Sequence, residues 1–395
     1  VEATEVVTVG IYNLYWSTYG GGEQVSAAIA EHLAAAGHRV VLLGPHPIDN
    51  ALMSARLGRD LSGCEHRRVT DDDEASRASG EVDVFINGTY LSRAVNRAAT
   101  GLYYVHFPGV PPSGRRLRAD RIARLGLGVL DRVDQLPDAL QGVRAGLRRR
   151  RIDHSWTSSY RMFLANSGFT SDWVTRLWGV SATVLHPPVQ PSPVATRADR
   201  RVIGIGRFFD PSFGHSKKQD VLVDVWEGME LSGLVDDWSL QLIGGADGAS
   251  RDYVLALRRR ALELRVSVEV NAPRSIVGEA LASGALLWHG AGFGEDPESH
   301  PDRFEHFGIS VVEAMSAGIV PVVYAAAGPA EIVRDGIDGR WWRTREELSA
   351  VTRDLIADDS GRREMARAAV VRAADYSSAR FAAALDSVLT AAVGG

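Results

Sequence analysis

Residues 304–318 read Phe304-Glu305-His306-Phe307-Gly308-Ile309-Ser310-Val311-Val312-Glu313-Ala314-Met315-Ser316-Ala317-Gly318. A β-branched run, Ile319 to Tyr324, follows them, and another apolar run, Ala285 to His289, comes before a long loop, Gly290 to Phe304. Short apolar runs flanking a helical segment are the unit of a parallel α/β sheet. The helix opens near Gly308 and closes near Ala317. Glu305 stands just outside it, and Glu313 lies about a turn and a half inside. A helix start offers free N–H groups and a positive dipole end, which suit a phosphate. Glu305 can grip a neutral polyol by hydrogen bonds, and Glu313 can hold a second hydroxylated ring. On spacing alone, a capped helix with a solvated carboxylate at each end is the commoner outcome.

The same alternation runs through the chain. Val6 to Ile11, Arg39 to Gly44, Val82 to Asn87, Leu102 to His106 and Ala182 to Leu185 read as strands. A glycine loop, Gly20-Gly21-Gly22, precedes a helical pattern from Glu23 to Ala36. Ser158 to Ala165 also reads as helical. Ser113 to Arg151 carries many arginines among scattered leucines, with Arg148 to Arg151 consecutive, and reads as helices or an excursion outside the sheet. The prolines between His186 and Pro193 mark a linker. Beyond it, Arg201 to Gly206, Ser239 to Ile243 and Ser267 to Val270 read as strands, with helices over Gln219 to Met229 and Tyr253 to Arg265. The tail, Arg362 to Ala392, is mostly helical. The expectation is therefore an α/β protein of two Rossmann-like, doubly wound parallel-sheet domains facing a cleft: residues 1–187, residues 188–370, and a C-terminal helix, 371–395, crossing back to the first.

Composition excludes several classes. Apolar residues make up 45% of the 395 and charged residues 24%, the balance of an ordinary globular protein. The net charge of −5 does not suit a nucleic-acid binder. No apolar run reaches the ~18 residues of a membrane span, and no secretory leader is legible at Val1. Cys64 is the single cysteine, so neither an internal disulfide nor a cysteine-built zinc site is expected. A cytoplasmic protein is expected, peripheral to the inner face of the membrane where its acceptor is lipid-linked.

Of 44 basic residues only Lys217 and Lys218 are lysines, and they enter a helix after a strand that ends in Gly206-Arg207. Cations in a dry cleft stabilise the charge that develops on a departing diphosphate, by about 3 kcal/mol each. Gly20, Gly21 and Gly22 lack dinucleotide-fingerprint spacing but let the backbone approach a phosphate. His106 closes a strand in Tyr103-Tyr104-Val105-His106-Phe107-Pro108. Asp71-Asp72-Asp73-Glu74 reads as a solvated turn, and Glu295 to His300 as a mobile loop beside the cleft without metal-ligand spacing. For 113–151 two readings stand side by side, contact with anionic lipid or a phosphorylated acceptor and a solvated helix face.

The Glu305-to-Glu313 run, with Gly318, Pro321-Val322-Val323 and Gly328-Pro329-Ala330-Glu331-Ile332-Val333, resembles the E-x7-E region of family 4-like nucleotide-sugar glycosyltransferases of the GT-B fold. Phe163 to Thr170 and Leu185 to Val189 extend the likeness, and His154 to Val189 is similar to enzymes that mannosylate lipid-linked oligosaccharides. The resemblance implies retaining transfer of a hexose-type sugar from a nucleoside-diphosphate sugar to an acceptor hydroxyl, without a metal or resident cofactor. It implies that Glu305 and His106 contact the sugar and that Glu313 holds the ribose. Phe307, Gly308 and Ile309 would bind the diphosphate, with Gly21 and Gly22 covering it. Arg207 and Lys217, with Lys218 as the alternative lysine, would stabilise the leaving group. An epimerase of the same architecture and a non-catalytic partner subunit are the competing readings. The paired glutamates speak against the first and the intact Arg207, Lys217, Glu305 and Glu313 against the second.

Overall fold

The structure, a computed structural model, describes residues 6–45, 49–131, 137–150, 152–192 and 199–393. Val1, Arg151 and Pro193, which belong to expectations above, lie outside these residues.

The first sheet contains β1 (Thr8–Tyr12), β2 (Arg39–Gly44), β3 (Glu65–Arg68), β4 (Val84–Asn87), β5 (Thr100–Val105), β6 (Met162–Ala165) and β7 (Ala182–Val184). The second contains β8 (Arg201–Ile205), β9 (Ser239–Gly244), β10 (Val266–Val270), β11 (Leu286–His289), β12 (Val320–Tyr324) and β13 (Arg340–Trp342). Their orders are β3-β2-β1-β4-β5-β6-β7 and β10-β9-β8-β11-β12-β13, and all the pairings are parallel. The chain order reverses between β1 and β4 and again between β8 and β11. Doubly wound sheets open their binding crevices beyond the strand ends at such switch points. Every candidate site residue except Glu313 lies just past the C-terminal end of a strand or at the helix start served by one.

Central strands are covered on both faces, so they read as continuous apolar runs. Val9, Ile11, Leu42, Ile86, Leu102 and Leu164 are all buried. This explains the one helix expectation that fails. Ser158 to Ala165 is a 3-10 turn, Ser155–Ser159, followed by β6 between β5 and β7. Four apolar residues buried on two faces carry no period that separates strand from helix.

Asp71 to Glu74 is likewise not a solvated turn. Asp71 caps the helix Asp72–Ser79 by accepting from Glu74 N at 2.8 Å. Asp72 accepts from Ser92 Oγ and Arg93 N, both at 2.6 Å.

The arginine-rich segment forms two packed helices, Gly114–Leu130 and Asp138–Arg150, with Arg144 bonded to Asp131 at 2.5 Å. The last helix, Ser378–Val393, packs on the helix Gly21–Ala35 of the first sheet. Its Phe381, Leu385, Val388 and Ala392 join a core with Ile29 and Leu33. Asp386 and His32 meet at 2.6 Å on the rim of that contact.

Candidate active site

The loop after β8 and the end of β11 bring the central charges together. The Lys217 ammonium donates to Glu305 Oε2. His289, the last residue of β11, lies with its Nε2 at 3.1 Å from the same oxygen. Burial alone would raise the Glu305 carboxyl; Lys217 and His289 outweigh it and hold the group well below the usual carboxylate range. The stem of Lys217 runs over Gly206, where a Cβ would stand 2.8 Å from its Cγ.

Lys218 is placed differently. It opens the helix Gln219–Leu231 with φ 57° and donates to Glu295 Oε1 at 2.5 Å. Arg303 donates to the other oxygen of Glu295 at 2.9 Å. The same loop carries Glu298, which pairs with Arg176 of the first domain at 3.1 Å. Arg207 is exposed, with its guanidinium 4.6 Å over the Phe209 ring and no carboxylate partner among the described residues.

Gly308, at φ 115°, is the residue before the helix Ile309–Ser316, and no side chain caps that helix. A left-handed backbone at this position favours glycine, and an uncapped start leaves N–H groups for an anion. Phe307 is buried against the His186 ring at 5.6 Å. Glu313 is only partly covered yet makes no side-chain hydrogen bond among the described residues. Burial raises its carboxyl, and Arg274 partly offsets that.

The first domain meets this arrangement directly. The helix after β1 starts at Gly21, so Gly21 and Gly22 form its first turn. A Cβ on Gly21 would lie 2.9 Å from Ile309 Cδ1, and one on Gly22 would lie 3.1 Å from the His106 ring. A side chain at either position would crowd these neighbours, so glycine keeps the approach close. His106 sits past β5 with Nε2 2.9 Å from Gly88 O, and burial pushes its imidazole down, so the ring is neutral near pH 7. Gly21, Gly22, His106, Lys217, Glu305, Phe307, Gly308 and Ile309 thus lie together between the domains, whereas the Arg207 side chain is exposed on Phe209.

Four contributors escaped the sequence reading. His289 looked like any strand-end histidine, and Glu295 lay in an acidic loop with no ligand spacing. Phe107 stacks on His306 from the opposite domain, with ring centroids 3.9 Å apart and 4° between planes. Glu331 reaches the first domain, accepting from Gly168 N at 2.9 Å and Phe169 N at 2.5 Å. An apolar residue beside His106 and a glutamate inside the Gly328-to-Val333 run were the available signals.

Residues 208–372 match the family described as Glycosyl transferases group 1. The amylovoran biosynthesis glycosyltransferase AmsD of Erwinia amylovora is 25% identical over 185 residues, 46% of each chain. The GDP-Man:Man(3)GlcNAc(2)-PP-Dol alpha-1,2-mannosyltransferase of Dictyostelium discoideum is 37% identical over 120 residues, 30% of this chain and 22% of that one. This chain therefore matches less than half the length of either relative. Among solved structures, Anabaena HepE in complex with UDP and glucose superposes with a TM-score of 0.65 at 16% identity, covering 98% of this chain and 100% of that one. The fold is that of the GT-B glycosyltransferase structures it superposes on, and the family match falls within the second domain.

Proposed function

We propose that the protein moves a hexose-type sugar, with retention of configuration, from a nucleoside-diphosphate sugar to an acceptor hydroxyl. The observation that carries this reading is the uncapped helix start at Gly308, with Lys217 and Glu305 beside it and Gly21, Gly22 and His106 facing it. The diphosphate would rest on the Gly308-Ile309 backbone, with Arg207 and Lys217 on its oxygens. Glu305 and His106 would orient the sugar hydroxyls, and Glu313 would hold the ribose. UDP and glucose bound to HepE support a nucleotide-sugar donor for this fold.

In the proposed step, the bond from the sugar C1 to the β-phosphate oxygen breaks. The acceptor oxygen bonds C1 from the same face, and its proton passes to the departing phosphate. Protein cations and a helix start carry the phosphate charge, so the reading needs no divalent ion. Closure excludes water and suppresses donor hydrolysis.

The acceptor would enter from the first domain. The helix Gly114–Leu130 leaves Leu117, Ile122, Leu125 and Val129 at least half exposed among its arginines, a surface suited to lipid headgroups. No helix among the described residues is long and apolar enough to cross a membrane. A cytoplasmic enzyme resting on the inner membrane face fits this arrangement.

The test is incubation with sugar donors and a hydroxyl-acceptor panel, with and without EDTA. Acceptor-dependent release of nucleoside diphosphate, unchanged by EDTA, supports the reading. Isomerised donor formed without acceptor would replace it with the epimerase.

A further inference from the structure

A groove of about 730 Å³ lies beside the cleft on the first domain, within the ~300–1,000 Å³ typical of ligand pockets. Pro108 and Gly109, which follow His106 and Phe107, form part of its wall. Four arginines line it: Arg93, Arg116, Arg124 and Arg176. Asp120 is the only acidic lining residue, and it is already held by Arg124 Nε and Ile152 N, each at 2.7 Å. Arg93 is exposed, and its guanidinium has no partner among the described residues. Arg176 is bonded by Glu298 of the second domain at 3.1 Å, so the groove borders that domain.

The same groove is apolar. Leu91, Val110 and Leu117 line it with side chains 46%, 56% and 50% exposed. Trp156 and Trp178 lie behind them, buried. His154 Nδ1 and Trp156 Nε1, both on lining residues, are buried without a hydrogen-bond partner among the described residues. Clustered guanidinium groups favour phosphoryl oxygens, which they can grip in pairs. Exposed leucines and valine beside them favour an apolar chain.

Resting on the transferase reading, we propose that this groove binds the acceptor, and that the acceptor is an amphiphilic anion with a phosphoryl group on an apolar chain. The arginines hold the phosphoryl group, the apolar wall holds the start of the chain, and the glycan hydroxyl extends past Pro108 toward His106.

The test needs no turnover. Dodecyl diphosphate, kept below its micelle threshold, is titrated into the full chain with nucleoside diphosphate saturating the donor cleft. Tryptophan fluorescence and calorimetry follow binding. Saturable binding is expected, at least tenfold weaker in Arg93→Glu. Arg118→Glu, on the same helix as Arg116 but outside the groove lining, should stay within twofold of the parent. Inorganic diphosphate and neutral dodecyl maltoside should each bind at least tenfold more weakly than dodecyl diphosphate. Equal weakening by Arg93→Glu and Arg118→Glu would mean diffuse attraction and overturn the site. A match by inorganic diphosphate or by the maltoside would overturn the amphiphile. Absence of binding overturns the proposal, while donor turnover decides the transferase reading separately. Should Arg93→Glu not reach the parent's melting temperature, Arg93→Gln replaces it, with at least a threefold loss expected.

Discussion

Adjacent lysines carry different work because their carboxylate partners differ. Lys217 shares Glu305 with His289, so a donor can take both ends of the pair, phosphate to the ammonium and sugar hydroxyls to the carboxylate. Lys218 shares Glu295 with Arg303, away from that exchange. Lys217→Ala should therefore lower turnover about 100-fold and change nucleoside diphosphate affinity far less, read from kcat and a direct titration. Lys218→Ala should instead cost about 2–3 kcal/mol of stability by breaking a nearly buried pair, measured by denaturant unfolding. His306 supplies a pH test. Burial, then the nearby His215 and Lys217 against a weaker opposing pull from Glu305, pushes its imidazole down to about 3. Below the ordinary ~6.5 the unfolded chain takes up a proton that folded His306 refuses, so stability falls as the pH drops from there toward 3. His306→Phe, which keeps a ring on Phe107, should lose less melting temperature than the parent between pH 7 and 4.5. At this scale Lys217, Glu305 and Gly308 were legible because each stands in a distinctive stretch, a lysine pair at a helix entry after Gly206-Arg207 and the run from Glu305 to Glu313. His289, Phe107 and Glu295 were not, since none stands in such a stretch and the contacts that matter, His289 with Glu305, Phe107 with His306 and Glu295 with Lys218, form only in the folded chain.

Among elements, the contact between Glu331 and the helix Gly168–Trp178 joins the domains most directly. Ser167 Oγ accepts from Thr170 N at 3.1 Å, and Glu331 takes the Gly168 and Phe169 N–H groups. A carboxylate at a helix start satisfies unpaired donors and complements the dipole. Because it comes from the other domain, this cap ties the two domains together. Glu331→Ala should cost about 1 kcal/mol and favour the open form. Small-angle scattering should show a larger radius of gyration, and the donor KM should rise. An unchanged radius and KM would make the contact a local cap alone. Strand runs such as Arg39 to Gly44 and the helix after Gly308 were legible from β-branched clusters and glycine punctuation. β3, whose Glu65, Arg67 and Arg68 are exposed, was not, because an edge strand needs no apolar run. β6 was misread because burial on two faces erased its period.

Over the whole molecule, two sheets with reversed chain order put their switch-point loops face to face, and the last helix returns to the first domain. The architecture was legible as a repeated alternation with a proline break. The sequences proposed to bind phosphate lie mainly in the second half, where the family match also falls. The first domain's groove was not legible, since Arg93, Arg116, Arg124 and Arg176 converge only through tertiary packing.

In the proposed reaction an anionic leaving group docks at Gly308 with Arg207 and Lys217 beside it. The most direct test of this docking is a calorimetric titration of nucleoside diphosphates and the corresponding nucleosides into the parent and the Arg207→Ala, Lys217→Ala double variant. One diphosphate should bind the parent and lose at least tenfold in the double variant, while the nucleoside should bind both equally. A diphosphate that binds the two proteins with the same affinity, or none that binds the parent at all, would contradict it.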